Sequence, residues 1–173
     1  MNEAYQNLLN RFSTKKYTDQ PVSDEMLDAI LEAGLYAPTG KNNQKAIMVA
    51  VRDRATRDQL SRMNAEIMGA QLDPFYGAPC VVVVLSDPTR NTWVEDGSLV
   101  MGNLMNAATA LGLGSCWIHR AKLIFEQEEG KQILADLGIE GDYEGIGHCI
   151  LGYPDVVELT PAPRKADYIH YIR

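Results

Sequence analysis

The feature that most constrains the fold of this chain is a continuous apolar run at residues 80–85, with the sequence CVVVVL. The turn sequence Tyr76-Gly77-Ala78-Pro79 comes directly before it. A short apolar run that does not alternate and is bounded by turn signals is typical of a strand buried on both faces. The run therefore predicts a central strand with protein packed against both of its sides.

A second long segment, residues 94–111, is apolar around nearly its whole circumference and predicts a helix buried against other protein. Another helix begins after Ser23, a typical N-cap residue, and places Asp24 and Glu25 in its first turn before stopping at Pro38. The remaining patterns predict helices over about 2–10, 57–67 and 125–137, and strands over 46–51, 113–118 and 144–151.

Length and composition bound the class of protein. The 173 residues favour one domain, residues 1–173, and a net charge of −7 with a pI near 4.9 argues against nucleic acid as a partner. There is no run of 18 apolar residues and no apolar segment at the N-terminus, so we expect neither a membrane span nor a secretory signal. Cys80, Cys116 and Cys149 lie in apolar stretches without CxxC spacing, which predicts buried thiols in a cytoplasmic protein.

A basic cluster runs against this acidic background. Arg11, Lys15 and Lys16 fall within six residues, with Ser13 between them. Cations and a hydroxyl suit a doubly charged phosphate, which accepts charge-assisted and bidentate hydrogen bonds. The Arg-Lys pair at residues 164–165 is a candidate for the second half of the same clamp. A solvated basic helix end is the alternative, since charge runs are usually surface features.

The polar loop at residues 38–44, Pro-Thr-Gly-Lys-Asn-Asn-Gln, suits a flat heteroaromatic ring. Asn and Gln offer both donors and acceptors to a ring edge, and Thr39 and Gly40 allow the backbone to come close. A phosphate clamp combined with a ring site describes flavin mononucleotide (FMN). An ordinary solvated turn is the alternative, and composition alone slightly favours it.

Other enzyme motifs are excluded by their spacing. The glycines at 112–114 and 145–147 lack the third glycine and the following helix of a dinucleotide fingerprint. There is no GxSxG elbow, and the three histidines lie far apart and outside any zinc motif, so no metal is expected. His148 next to a cysteine in a predicted strand indicates a structural pair. His119-Arg120 ends a predicted strand, where functional and structural interpretations are equally open.

The surviving segments occur in the order found in FMN-dependent nitroreductases, and the chain resembles a small, single-domain member of that family along nearly its whole length. Each motif alone is weak, but their joint order is specific. The motifs are Arg11-Phe-Ser-Thr-Lys-Lys-Tyr17, Ala37-Pro-Thr-Gly-Lys-Asn-Asn-Gln44, Tyr76-Gly-Ala-Pro79, Gly112-Leu-Gly-Ser-Cys-Trp-Ile-His-Arg120, Leu151-Gly-Tyr-Pro154 and Arg164.

The resemblance implies an α+β fold: a three-layer α-β-α sandwich around a mixed or antiparallel sheet, in an intertwined homodimer with FMN at the subunit interface. Residues 161–173 pass from a proline-rich stretch to an apolar end, a pattern typical of a tail that docks, and we expect this arm to pack on the partner subunit. Arg11, Ser13 and Arg164 would hold the phosphate, and Lys15 would lie by the ribityl chain and the N1/O2 ring edge. The other implied cofactor contacts are Phe12 through its backbone, Pro38, Thr39, Gly40 and Asn42 from the partner, and Trp117, Ile118, His119 and Arg120 beside the ring.

The chain also departs from the family pattern. Gln71 and Pro74 stand where larger members have Asn and Lys near the ring, and Ala162 stands at a second C-terminal cation, for which Lys165 could substitute. His119-Arg120 replaces a Gly-Gly pair of many small members.

The activity implied by the resemblance is ping-pong transfer of electrons from NADH or NADPH through FMN to nitroaromatics, quinones or similar small acceptors. The cofactor carries this chemistry, so no side chain is required as nucleophile or base. The alternatives are another flavin reaction, such as enone reduction or reductive dehalogenation, and a flavin-binding or storage protein without turnover.

Overall fold

The computed structural model describes residues 2–155 and 161–173. This part of the chain forms six helices and four strands, with a 3₁₀ turn, Gly40–Asn42, in the polar loop. The helices are α1 (Glu3–Asn10), α2 (Asp24–Leu35), α3 (Arg54–Met68), α4 (Trp93–Ala110), α5 (Ala121–Phe125) and α6 (Glu128–Asp136). The strands are β1 (Ala46–Val51), β2 (Cys80–Ser86), β3 (Gly114–Ile118) and β4 (Glu144–Gly152).

The strands form one antiparallel sheet in the order β1-β2-β4-β3, so β2 is an interior strand. All seven residues of β2 are buried. Val81, Val83 and Leu85 belong to one apolar cluster, whereas Cys80, Val82 and Val84 belong to another. The prediction of a central strand covered on both faces is confirmed.

Two helical layers cover the sheet. Helices α2 and α4 pack on one face, and α3, α5 and α6 pack on the other. This is the expected α+β three-layer sandwich, and the all-antiparallel sheet settles the choice that the sequence left open. None of the helices in the described residues has the length and apolar character needed to cross a bilayer.

The segment carrying the basic cluster begins at Arg11, the C-cap of α1, and continues along the outer edge of β3. Ser13 forms a parallel bridge with Ser115, and the N–H of Thr14 donates to the carbonyl of Ser115 at 2.9 Å. Tyr17 forms an antiparallel bridge with Pro154. The cluster is thus fixed beside the strand that contains Trp117 and Ile118.

The sequence prediction was wrong for one helix. Instead of a single helix over 125–137, the chain forms α5, ends it at Phe125 and restarts as α6. Gln127 has extended backbone angles (φ −82°, ψ 154°), which breaks the helical path between them. Gly130 allows α6 to pack tightly on α5, because a Cβ there would collide with the carbonyl of Ile124. The Ser23 cap is confirmed, since its hydroxyl accepts from the N–H of Met26 at 3.3 Å.

The three cysteines are free and buried, as predicted. Burial raises the pKa of the Cys80 thiol to about 11 and raises that of Cys149 further. The thiol of Cys149 beside His148 therefore stays protonated, which supports a structural pair rather than a nucleophilic dyad.

Candidate functional site

Arg11, at the edge of β3, forms no ion pair with another of the described residues. Its side chain is half-buried, and its Nη1 is buried without a hydrogen-bond partner among the described residues. Buried polar nitrogens are almost always hydrogen-bonded, and an arginine cannot escape the cost of burial by losing its proton. A nitrogen of this kind fits an anionic ligand, as the phosphate of FMN would be.

The remaining polar residues of the cluster differ in whether they already have an ion-pair partner. Lys16 forms an ion pair with Asp155, with Nζ 2.8 Å from Oδ2, and 68% of its side chain is exposed. Lys15 has no such partner among the described residues and lies with Nζ 5.7 Å from the centre of the Tyr76 ring. Ser13 is exposed. Arg11, Ser13 and Lys15 therefore remain available to a ligand, whereas Lys16 is neutralised.

The end of β3 is held from inside by two buried side chains. Asn64, which is 0% exposed, donates its Nδ2 to the carbonyl of His119 at 2.7 Å. His148 places Nδ1 3.4 Å from the carbonyl of Ile118. The backbone then turns at Arg120, which has φ +76°, a left-handed conformation that is unfavourable for any residue with a Cβ. The strand end is consequently fixed, with His119 exposed and Arg120 partly exposed.

His148 serves this strand end as a neutral side chain. Burial lowers its pKa to about 4, because the imidazolium would lose its hydration, and the ring packs against Phe75 with centroids 5.2 Å apart. At neutral pH one ring nitrogen carries a proton and the other does not.

The polar loop at 38–44 is fastened to the first turn of α4 by one carboxylate. Asp96, 2% exposed, accepts from the N–H of Gly40 at 2.8 Å, from Nδ2 of Asn43 at 3.1 Å and from the hydroxyl of Thr92 at 3.1 Å. Gly40 is required by space, because a Cβ there would collide with Thr92. The loop is thereby held against the body of the protein rather than left as a solvated turn.

Three residues of this loop adopt strained backbone angles. Lys41 and Asn42 have φ 54°, and Gln44 has φ 51°. The left-handed region costs a residue with a Cβ about 1–2 kcal/mol, although asparagine tolerates it better. Strain of this kind persists only where surrounding contacts impose it, and it concentrates at functional sites.

A single chain does not bring the two halves of the predicted site together. The loop is attached at Asp96, whereas α1, which leads into the basic segment, is attached to α4 by a 2.9 Å bond from Asn7 Nδ2 to the carbonyl of Asn106. Those two points of α4 are separated by roughly 15 Å of helix. In the described ranges, no hydrogen bond or ion pair joins residues 38–44 to residues 11–17.

Arg164 is also not brought to the cluster within one chain. Its side chain is exposed, and Nη1 donates locally to the carbonyl of Ala162 at 3.0 Å. Lys165 is exposed as well. Of the predicted site residues, one chain gathers those of the basic cluster and the end of β3, and it leaves the loop and the C-terminal arginine elsewhere.

Sequence reasoning did not assign a site role to Tyr76. This residue has φ +53° in the turn before β2 and faces Lys15. The turn is held by Asp73, whose carboxylate accepts from the N–H of Phe75 at 2.9 Å and the N–H of Gly77 at 2.7 Å. An aspartate preceding a glycine turn was the available signal, since such side chains often bond the backbone a few residues on.

Comparisons with known proteins identify the family of the chain. A family model described as the nitroreductase family matches residues 8–153. A protein of Archaeoglobus fulgidus, provisionally named NADH dehydrogenase/NAD(P)H nitroreductase, is 32% identical over 160 residues, which cover 89% of this chain and 87% of that protein. The FMN reductase (NAD(P)H) of Bacillus subtilis is 36% identical over 138 residues, covering 66% of this chain and 53% of that protein. A solved nitroreductase with bound FMN from Bacteroides fragilis superposes with a TM-score of 0.91 at 26% identity over 100% of both chains.

Proposed function

Since the chain belongs to the nitroreductase family, we propose that it is an NAD(P)H-dependent FMN oxidoreductase. The observation that carries the proposal is the buried, unpaired Nη1 of Arg11 beside Ser13 and Lys15 at the edge of β3. In a chain of net charge −7, a half-buried cation with no ion-pair partner among the described residues suits a ligand that supplies the anion.

The proposed contacts place cations of the protein at the negatively charged and electron-accepting parts of FMN. Arg11 and Ser13 bind the phosphate, joined in the assembled protein by Arg164, and Phe12 contributes its backbone. Lys15 lies toward the N1/O2 edge of the ring, where a cation stabilises negative charge on the reduced flavin. The four residues at and directly after the end of β3, Trp117 to Arg120, lie beside the ring on a backbone that Asn64 and His148 hold in place.

We further propose that the site is completed by a second copy of the chain. The loop residues Pro38, Thr39, Gly40 and Asn42 are fastened at the first turn of α4, away from the basic cluster of the same chain. The C-terminal arm at 161–173 exposes large apolar side chains that a partner would cover. They are Tyr168 (79% exposed), Ile169 (66%), Tyr171 (70%) and Ile172 (fully exposed).

When bound, FMN supplies hydride acceptance from NADH or NADPH and electron delivery to an acceptor that enters the same space afterwards, in ping-pong order. Nitroaromatics and quinones are the proposed acceptors. The residues of this chain bind and orient: cations hold the phosphate and the N1 edge, and the fixed end of β3 shapes the opposite edge. His119 and Arg120 border the space through which the acceptor enters.

The test is equilibrium titration of the purified protein with FMN, followed by anaerobic addition of NADH and, separately, NADPH. We expect saturable binding with one FMN per chain and loss of flavin absorbance near 450 nm on reduction, with recovery when a quinone is added. Protein that takes up no FMN overturns the proposal. Protein that binds FMN but is never reduced by either nucleotide is a flavin binder without this activity.

A further inference from the structure

Asp96 is a buried carboxylate whose described side-chain hydrogen bonds all go to the loop at 38–44 or to Thr92, next to the start of α4. It lies in the first turn of α4 and is 2% exposed, yet it forms no ion pair with a lysine or arginine among the described residues. Its Oδ1 accepts from the N–H of Gly40, and its Oδ2 accepts from Asn43 and Thr92. Burial of a carboxylate is costly, and these donors offset that cost.

We propose that Asp96 is a positioning residue for the flavin ring: it holds the loop at 38–44 in the strained conformation that meets the FMN bound by the partner subunit. The inference rests on the proposed function. Its hydrogen bonds to Gly40 and Asn43 assign Asp96 this role.

The loop needs such an anchor because its own backbone resists the conformation. Lys41, Asn42 and Gln44 all have positive φ. Local bonds support the shape, including Gln44 N–H to Thr39 Oγ1 at 3.1 Å and Asn43 Nδ2 to the Gly40 carbonyl at 2.7 Å. These local bonds move with the loop, whereas the bonds to Asp96 are the ones that tie the loop to α4.

A general effect of charge at the start of a helix does not account for this arrangement. Acidic residues near a helix N-terminus are favourable wherever they point. Glu95, the neighbouring residue in the same turn, is exposed and supplies that effect, and no hydrogen bond or ion pair joins it to residues 38–44 in the part of the chain that the structure describes. Glu95→Gln is therefore a matched control for Asp96→Asn, with the same loss of charge one residue away.

The experiment compares FMN with riboflavin, which has the same ring but no phosphate. In equilibrium fluorescence titrations, Asp96→Asn should weaken FMN and riboflavin by the same factor, roughly tenfold or more for the loss of a charge-assisted bond. Glu95→Gln should leave both dissociation constants within twofold. Circular dichroism and light scattering should show that the fold and the oligomeric state of Asp96→Asn match those of the wild type.

Asn43→Ala provides a second variant, because it leaves the Asp96 carboxylate in place and removes one contact to it, together with the local bonds of Asn43 to the Gly40 carbonyl and the Lys45 N–H. It should weaken both flavins equally and by less than Asp96→Asn, which keeps the inference testable if Asp96→Asn fails to fold. Wild-type protein that binds no FMN would overturn the proposed function. The role of Asp96 is overturned if the wild type binds FMN and both variants bind FMN and riboflavin as tightly as the wild type does. A loss of FMN affinity with unchanged riboflavin affinity would also overturn it, by assigning the loop to the phosphate.

Discussion

Arg57 and Asp73 form an ion pair that holds the turn before β2, with Nη2 2.6 Å from Oδ2. Arg57 is 3% exposed at its side chain and Asp73 is 37% exposed. Partial burial alone would raise the pKa of Asp73, but hydrogen bonds from Arg57, Ser61 and the N–H groups of Gly77 and Phe75 outweigh it and hold the pKa below its usual range. The pair therefore fixes the turn that presents Tyr76 to Lys15.

Asp73→Asn should destabilise the protein by about 2 kcal/mol, because a nearly buried guanidinium loses its main partner. The cost stays below the value for a fully buried pair, since Asp73 is partly solvated and Arg57 keeps Asp58 Oδ1 at 3.0 Å and the Ala78 carbonyl at 3.0 Å. Urea unfolding measures the change, with Asp142→Asn in an exposed turn as the control. Equal stability of the two variants would contradict the role of the pair.

Much of the fold could be predicted from the sequence because burial imposes simple patterns. The run at 80–85 became β2, which is buried along its whole length and so can accept few polar residues. The segment at 94–111 became α4, but this helix is buried on one side only, and Val94 and Leu99 stay 45% and 47% exposed in the chain. The prediction of one helix over 125–137 was wrong because apolar spacing does not show a break in the backbone. The apolar spacing continues through Gln127, while packing of α6 on α5 breaks the backbone there.

The strained parts of the site could not be predicted from sequence. Lys41, Gln44, Tyr76 and Arg120 adopt positive φ although their side chains disfavour it. The loop that carries Lys41 and Gln44 is held by Asp96, a distant residue that no local pattern reveals, whereas the turn that carries Tyr76 is held by Asp73, three residues before it. A site that contains both the loop and the basic cluster requires two chains, and it stays a prediction.

The pH dependence of stability should carry a contribution from His148. Its pKa is about 4 in the folded protein and about 6.5 in the unfolded chain, so unfolding takes up a proton between those values. Stability is therefore lost as pH falls from about 6.5 toward 4, by a total of about 3 kcal/mol.

His148→Gln, which keeps a donor for the Ile118 carbonyl but does not titrate, should lose about 3 kcal/mol less than the wild type between pH 7 and pH 4. His170→Gln, in the exposed C-terminal segment, should follow the wild-type curve. Denaturant titrations across this range measure the difference. Parallel curves for wild type and His148→Gln would mean that His148 does not stay neutral in the folded protein.

Arg11→Ala should weaken FMN binding by about 1.5–3 kcal/mol, the value of a charge-assisted hydrogen bond, and leave riboflavin binding unchanged. Lys16→Ala is the matched control, because Lys16 is already paired with Asp155 and should not affect either flavin. Fluorescence titration gives both constants. An unchanged FMN affinity would remove Arg11 from the site, and an equal loss for riboflavin would move it from the phosphate to the ring.

Arg120→Gly should raise stability by about 0.5–1 kcal/mol. Relief of the left-handed strain at φ +76° favours glycine by about 1–2 kcal/mol, and the greater freedom of glycine in the unfolded chain removes part of that gain. Arg90→Gly makes the same exchange at an exposed residue outside the positive-φ set and should bring no gain. Thermal and urea unfolding test the pair, and a loss of stability in both variants would contradict the presence of strain at Arg120.

Removal of residues 161–173 should weaken the proposed dimer. Tyr168, Ile169 and Ile172 are exposed to water in the single chain, and burying a large apolar side chain contributes about 1.5–3 kcal/mol. A milder variant, Ile169→Ser with Ile172→Ser, tests the same surface without shortening the chain, and Lys165→Ser serves as a polar control on the same segment. Light scattering over a dilution series should show dissociation at higher concentration for the truncated and double-serine proteins than for wild type and the control.

Arg164 leaves with the truncation, so FMN affinity should fall in the truncated protein at concentrations where it is still dimeric, while the double-serine dimer keeps its FMN affinity. A truncated protein that dimerises as tightly as the wild type would assign the subunit contact to another surface.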